Sequence, residues 1–266
     1  ERTMARRLME AGLRPAVVSR GYSGGAERTG GIVSDGRRIL MPPAAAGDEP
    51  WMLAGLLDRT PVVVGRDRWR AGRIAEGAFS PDVILLDDGF QHLRLARDID
   101  LVLLDAASPF GNGRMFPRGP LREPASALAR ADALVLTRCR DGGTPVPAVL
   151  AQSRAAAGKP ILRAVHRPRL RAVVPAGGRM RCGEPAVGAP DLRGRRVAVF
   201  SGIARNDDVS RSVRELGGQV AAAFGFKDHH RYRPAELRDL EHSARRGRAE
   251  WMATTEKDFA RLGGVN

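Results

Sequence analysis

Two cysteines, Cys139 and Cys182, are all that 266 residues contain. They form no C-x-x-C pair and no histidine stands at ligand spacing, so the sequence offers neither a disulfide framework nor a zinc site, and a reducing cytoplasmic setting fits. Aromatic residues make up 5% of the chain, too few to build stacking platforms for single-stranded nucleic acid. No run approaches the roughly 18 apolar residues that mark a spanning helix, and no signal-peptide pattern is visible. Lysine occurs only at Lys159, Lys227 and Lys257, the rest of the 44 basic residues being arginine. The formal charge of +14 and pI near 11.3 would ordinarily raise nucleic acid or an anionic membrane as a partner. Here the arginines are scattered rather than gathered in runs, so the charge reads as coding bias as much as a basic surface.

What is present is organised around Val83-Ile84-Leu85-Leu86-Asp87-Asp88-Gly89-Phe90-Gln91-His92. Four apolar residues bounded by turn formers predict a strand buried on both faces of a parallel sheet. Adjacent aspartates are costly there unless something positive compensates them, and ligands of open α/β folds sit at the carboxyl ends of the strands. A magnesium–phosphate site answers both points, with Asp87 and Asp88 as metal ligands. The competing account makes Asp87 a cap and Asp88-Gly89 a plain turn.

Met4, Ala5, Leu8 and Met9 mark one face of a helix ending near Gly12, and Pro15-Ala16-Val17-Val18-Ser19 reads as a strand. The loop Arg20-Gly21-Tyr22-Ser23-Gly24-Gly25 has the glycines for a close approach to a ligand, or for a turn. Gly47-Asp48-Glu49-Pro50 leads into a helical pattern, where an acidic residue serves as a cap. Apolar runs at 61–64, 101–104 and 133–137, separated by helix-compatible sequence, predict βαβ units. Between them lies a long Gly/Pro-punctuated loop with Arg122 and Glu123 side by side. Arg122 could hold a phosphate and Glu123 join a metal site, a surface ion pair being the alternative. Residues 141–147 read as a domain edge, and the chain is then irregular until a strand at 196–200. A second, smaller α/β unit follows, with Asn206 capping a helix, a strand at 219–224, a helix from Pro234 and a strand at 251–255. Lys227-Asp228-His229-His230-Arg231-Tyr232 clusters titratable groups in one loop, where an aspartate beside an imidazole can orient it for proton transfer. The expected division is 1–145, a linker at 146–190, and 191–266. Glu1, not a methionine, falls inside the first helical pattern, so the chain is expected to be a fragment.

Taken together, Arg20-Gly21-Tyr22, Gly47-Asp48-Glu49-Pro50, Asp87-Asp88-Gly89-Phe90-Gln91-His92, Gly119-Pro120-Leu121-Arg122-Glu123-Pro124, Gly202-Ile203-Ala204, Asp228-His229 and Thr254-Thr255-Glu256-Lys257-Asp258 resemble the tetraacyldisaccharide 4'-kinases. The match runs in order over nearly the whole chain. The resemblance implies a P-loop NTPase-like α/β parallel-sheet domain plus a second, smaller α/β domain. It implies transfer of the γ-phosphate of ATP, with Mg2+, to the 4'-hydroxyl of an acylated glucosamine disaccharide 1-phosphate lipid. The setting it implies is the cytoplasmic surface of the bacterial inner membrane, with no nucleic acid partner. By the same resemblance Asp48 and His229 are the catalytic pair, Gln91 and Arg122 contact the nucleotide, and Asp87, Asp88 and Glu123 surround the metal. One departure stands out: G-x-x-x-x-G-K-[ST], which cradles phosphates in P-loop kinases, is absent from these residues. The family carries it just before the helix in which this chain begins, so the chain as given is expected to be inactive. Smaller departures fall at Ser23, Arg118, Asn206 and Val209.

Overall fold

The computed structural model describes residues 1–141, 143–171, 191–203, 205–228 and 230–262. In chain order the elements are α1 (Arg2–Glu10), β1 (Pro15–Ser19), β2 (Gly31–Ser34), α2 (Pro43–Ala46), α3 (Asp48–Leu56), β3 (Val62–Val64), α4 (Arg68–Phe79) and β4 (Val83–Leu86). They continue with β5 (Leu101–Asp105), a 3-10 turn (Ala125–Arg130), β6 (Ala133–Cys139), α5 (Ala148–Ala151), β7 (Ile161–Val165) and β8 (Arg196–Ser201). The last are α6 (Asp207–Glu215), β9 (Gln219–Gly225), α7 (Pro234–Arg246), β10 (Trp251–Ala253) and α8 (Glu256–Leu262). Two compact units emerge: Glu1–Asp88 with Pro168–Asn266, and Gly89–Arg167.

In the first unit, β1 lies between β3 and β4, parallel to both, and β2 closes the other edge antiparallel to β3, giving the order β2-β3-β1-β4. Side chains alternate along a strand, so each face selects its own helices. Val17, Val62 and Val64 pack with Ala5 of α1 and Leu53 of α3, whereas Ala16, Val18 and Val63 pack with Ala71 and Ala75 of α4. Helices therefore cover both faces of a mostly parallel sheet, an α/β arrangement. Asp67 starts α4 by accepting the Arg70 N–H at 3.1 Å. The same unit carries a second parallel sheet, β10-β8-β9. Val197 and Val199 meet Val209 and Val213 of α6, while Phe200 packs with Tyr232 and Leu240. The other unit is a parallel sheet, β5-β6-β7, over a core containing Leu104, Leu128, Leu134, Leu136 and Leu150.

Four local expectations change. Val83–Leu86, expected to be buried on both faces, is half-buried throughout because β4 is an edge of its sheet. No helix lies between β4 and β5; turns fill that stretch, and the crossover helix of the first sheet is α4, between β3 and β4. A strand, β7, occupies part of the segment expected to be irregular, pairing with β6 through Leu134 to Ile161. Asn206 precedes α6 without capping it: Ser201 Oγ donates to its Oδ1 at 2.6 Å, and its Nδ2 donates to the Phe226 carbonyl at 3.2 Å.

Candidate active site

Three groups of polar side chains stand at strand or helix ends. The first is at the carboxyl end of the β1–β4 pair. Asp87 follows β4, its N–H donates to the Val18 carbonyl at 2.9 Å, and its carboxylate accepts from Ser19 Oγ at 2.8 Å. Asp88 is exposed with φ +53°, a left-handed conformation that aspartate tolerates better than most residues. Burial and then the adjacent Asp87 carboxylate push Glu1 up to about 7, and Glu49 adds to the same effect. Arg68, at the start of α4, is buried and donates Nη1 to the Gly65 carbonyl at 2.8 Å, while its Nε meets no partner among the described residues. Burial lowers its pKa, opposed by the charges of Asp87 and Asp88. Among the described residues no set of three or more His, Cys, Asp or Glu side chains is disposed to hold a metal ion.

The second group is at the amino end of α3. Gly47, not an acidic residue, takes the cap position, and Asp48 and Glu49 fall in the first turn, where negative charge is favoured by the helix dipole. Asp48 Oδ2 accepts from Arg261 Nε at 2.8 Å, and Glu49 Oε1 accepts from Lys257 Nζ at 2.8 Å. Lys257 Nζ also lies 3.8 Å from Asp228 Oδ1. Behind this pair sits Asp258, fully buried, whose carboxylate accepts the Gly202 N–H at 2.9 Å, the Tyr232 hydroxyl at 3.0 Å and the Thr255 hydroxyl at 2.6 Å. Burial, then the charge of Asp258, raises the Tyr232 phenol above its ordinary range. His229 lies outside the described residues. His230 beside it is engaged elsewhere, stacked on Phe226 at 4.6 Å and 3.2 Å from Glu236.

The glycine loop finds its use here. Gly25 and Ala26 donate their N–H groups to the carbonyls of Ala44 and Ala45 at 2.9 Å. A Cβ on Gly24 would stand 2.6 Å from the Ala45 carbonyl oxygen and from the Gly47 nitrogen. The close approach that the loop permits is to the α2–α3 corner carrying Asp48.

The third group is in the other unit. Glu123 accepts from Gln91 Nε2 at 3.0 Å and from Arg130 at 3.0 and 2.9 Å, one guanidinium nitrogen to each carboxylate oxygen. Arg130 also stacks on Phe90, 4.4 Å from the ring centre. The Arg130 hydrogen bonds hold Glu123 below the usual carboxylate range. Arg122 is exposed. Gln91 and Glu123 are thus joined by a hydrogen bond, and Arg130, seven residues on, pairs with Glu123.

Arg68, Tyr232, Lys257, Asp258 and Arg261 received no role from the sequence. Lys257 and Asp258 stood inside a quoted motif, which was a usable signal. Arg261 is 213 positions from Asp48 and carried none.

The family model described as "Tetraacyldisaccharide-1-P 4'-kinase" matches residues 2–266. A relative of that name from Geobacter metallireducens is 42% identical over 262 residues, covering 98% of this chain and 73% of its own. Another from Syntrophus aciditrophicus is 40% identical, over 97% of this chain and 70% of its own. A solved structure described as the "apo" form of LpxK from Aquifex aeolicus in complex with ATP is similar at TM-score 0.70 and 30% identity, covering 100% of this chain and 74% of that one.

Proposed function

The chain belongs to the tetraacyldisaccharide-1-phosphate 4'-kinase family, and on that premise we propose that it carries most of an enzyme that phosphorylates the 4'-hydroxyl of an acylated glucosamine disaccharide 1-phosphate in lipid A synthesis. ATP is the phosphoryl donor, supported by the ATP complex of the similar solved structure. In the reaction the 4'-oxygen bonds to the γ-phosphorus, the bond from that phosphorus to the bridging oxygen breaks, and ADP leaves. The hydroxyl proton goes to Asp48. The observation that carries this reading is Asp48 itself, a carboxylate at a helix start that accepts from the buried Arg261 guanidinium. His229 is assigned with it by family resemblance.

Mg2+ fits the end of β4. Every donor there is an oxygen, from Asp87, Asp88 and Ser19. A magnesium site supplied by only one or two carboxylates is ordinary, since the ion keeps water and substrate phosphates as its other ligands. Bound there, the ion would neutralise charge on the phosphates; Asp87 and Asp88 would hold it. Glu123, Gln91 and Arg122 are assigned by resemblance to the metal and nucleotide surroundings. The division into a kinase domain at 1–145, a linker at 146–190 and a smaller domain at 191–266 is proposed on the same footing, as are residence at the cytoplasmic face of the inner membrane and the absence of a nucleic acid partner. Among the described residues no helix is long and apolar enough to cross a membrane.

A polypeptide of these 266 residues alone is proposed to be inactive, because none of them spells the phosphate-cradling motif. Robust ATP-dependent phosphorylation of the disaccharide by that polypeptide would overturn this point. In a preparation of established activity, mass spectrometry of the lipid should show one added phosphate at the 4' position. Asp48→Asn should lower kcat about 100-fold or more, the range for a lost general base. Asp88→Ala should also cost orders of magnitude, and a loss below about threefold would leave Asp88 a turn former.

A further inference from the structure

Arg261 touches three groups at once. Its Nε donates to Asp48 Oδ2 at 2.8 Å, and its Nη1 donates to the Gly202 carbonyl at 2.7 Å and to Asp258 Oδ1 at 3.1 Å. The side chain is 3% exposed, beside a carboxylate that is 0% exposed. A guanidinium carries its donors in a rigid planar fork. Once Nη1 is fixed on a carbonyl and a buried carboxylate, the direction of the Nε–H is fixed too. Asp258 cannot move to release it, because the Gly202 N–H, the Tyr232 hydroxyl and the Thr255 hydroxyl pin it from the turn after β8, the loop before α7 and the start of α8.

We infer that Arg261 is the positioning residue for Asp48, converting the rigidity of the Tyr232–Asp258–Gly202 cluster into a single orientation of the carboxylate that receives the hydroxyl proton. The inference rests on Asp48 being that base. A tie between α3 and α8 without this role would be a sufficient account if Arg261 were the only link, but Lys257–Glu49 already joins the same elements, as does Arg171, which donates to the Gly55 carbonyl at 2.9 Å and lies 3.4 Å from Glu256 Oε1. What Arg261 adds is directional: its bond is to the reacting carboxylate, and it comes from a side chain that cannot reorient.

The test uses protein of established kinase activity and four forms: Asp48→Asn, Arg261→Met, Arg261→Lys and the double variant Asp48→Asn with Arg261→Met. Melting temperatures identify which variants remain folded. Arg261→Met should lower kcat on the order of 100-fold, the cost of a misdirected catalytic group, with KM for ATP changed less than about threefold. Arg261→Lys should recover little, because a flexible point charge cannot make the fork. The double variant should be no slower than Asp48→Asn alone. If Arg261→Met does not fold, Arg261→Lys carries the comparison, again alone and with Asp48→Asn. A small effect of Asp48→Asn would defeat the base assignment. A large effect of Asp48→Asn, with arginine losses that multiply upon it or fall on KM, would leave the base standing and refute the positioning role.

Discussion

Asp258, in α8, ties together the turn after β8, the loop before α7 and Arg261. It is a fully buried carboxylate, and breaking a buried ion pair by removing one partner costs about 3–5 kcal/mol because the other charge is left uncompensated. Asp258→Ala should therefore lower the free energy of unfolding by about that much in denaturant titration. Tyr232→Phe, which removes one of its donors, should cost about 1–3 kcal/mol. A second prediction concerns pH. The Tyr232 phenol is raised by burial and by Asp258. A raised folded-state pKa favours the protonated form, so this contribution is complete below the ordinary tyrosine value of about 10 and is lost as pH climbs above it. In a Tyr22→Phe variant, where Tyr232 is the remaining tyrosine, tyrosinate absorbance should stay flat through the ordinary range in native protein and rise there in unfolded protein. A native titration coinciding with the unfolded one would contradict the buried hydrogen bond. Asp258 was legible only as the last residue of the Thr254–Asp258 motif, without a role, because its partners Gly202 and Tyr232 lie 56 and 26 positions away.

Among elements, the α2–α3 corner decides where Asp48 goes. Gly47 has φ +88°, and a Cβ there would stand 2.8 Å from the Tyr22 carbonyl oxygen. Gly47→Ala should thus combine left-handed strain of about 1–2 kcal/mol with a backbone clash, displacing the start of α3. We expect a lower melting temperature and a kcat deficit exceeding that of Gly77→Ala, a site in α4 where an added Cβ meets nothing within 4 Å. Equal effects at the two glycines would remove the corner from the account. Strands were the most legible elements, because runs such as Val62–Val64 are apolar at every position when both faces are covered. The edge status of β4 was not, since pairing is a property of two strands and the four residues Val83–Leu86 encode only their own hydrophobicity. The purpose of the 20–25 loop was hidden for a related reason: glycines announce close approach without naming what approaches.

At the scale of the molecule, apolar burial is partitioned. Among the described residues the first unit contains the clusters around Val17 and Val62, around Val18 and Val63, around Val197 and Val199, and around Phe200 and Tyr232; the second contains the one around Leu134 and Leu136. A chain with separate cores need not unfold in one step. Calorimetry should accordingly resolve more than one transition. Leu136 is fully buried, and Leu136→Ala should cost about 2–5 kcal/mol from lost transfer energy and the cavity left behind. Because that loss falls on the second unit, Leu136→Ala should lower one transition and leave the other in place. Val17→Ala, at the centre of the first sheet, should do the reverse. Trp51, Trp69 and Trp251, the three tryptophans, all lie in the first unit, so denaturant titration followed by tryptophan fluorescence reports that unit directly. Its midpoint should shift with Val17→Ala and not with Leu136→Ala. A single transition moved equally by both substitutions would mean that the two cores unfold as one cooperative body, and the division at Asp88 and Arg167 would then describe geometry alone.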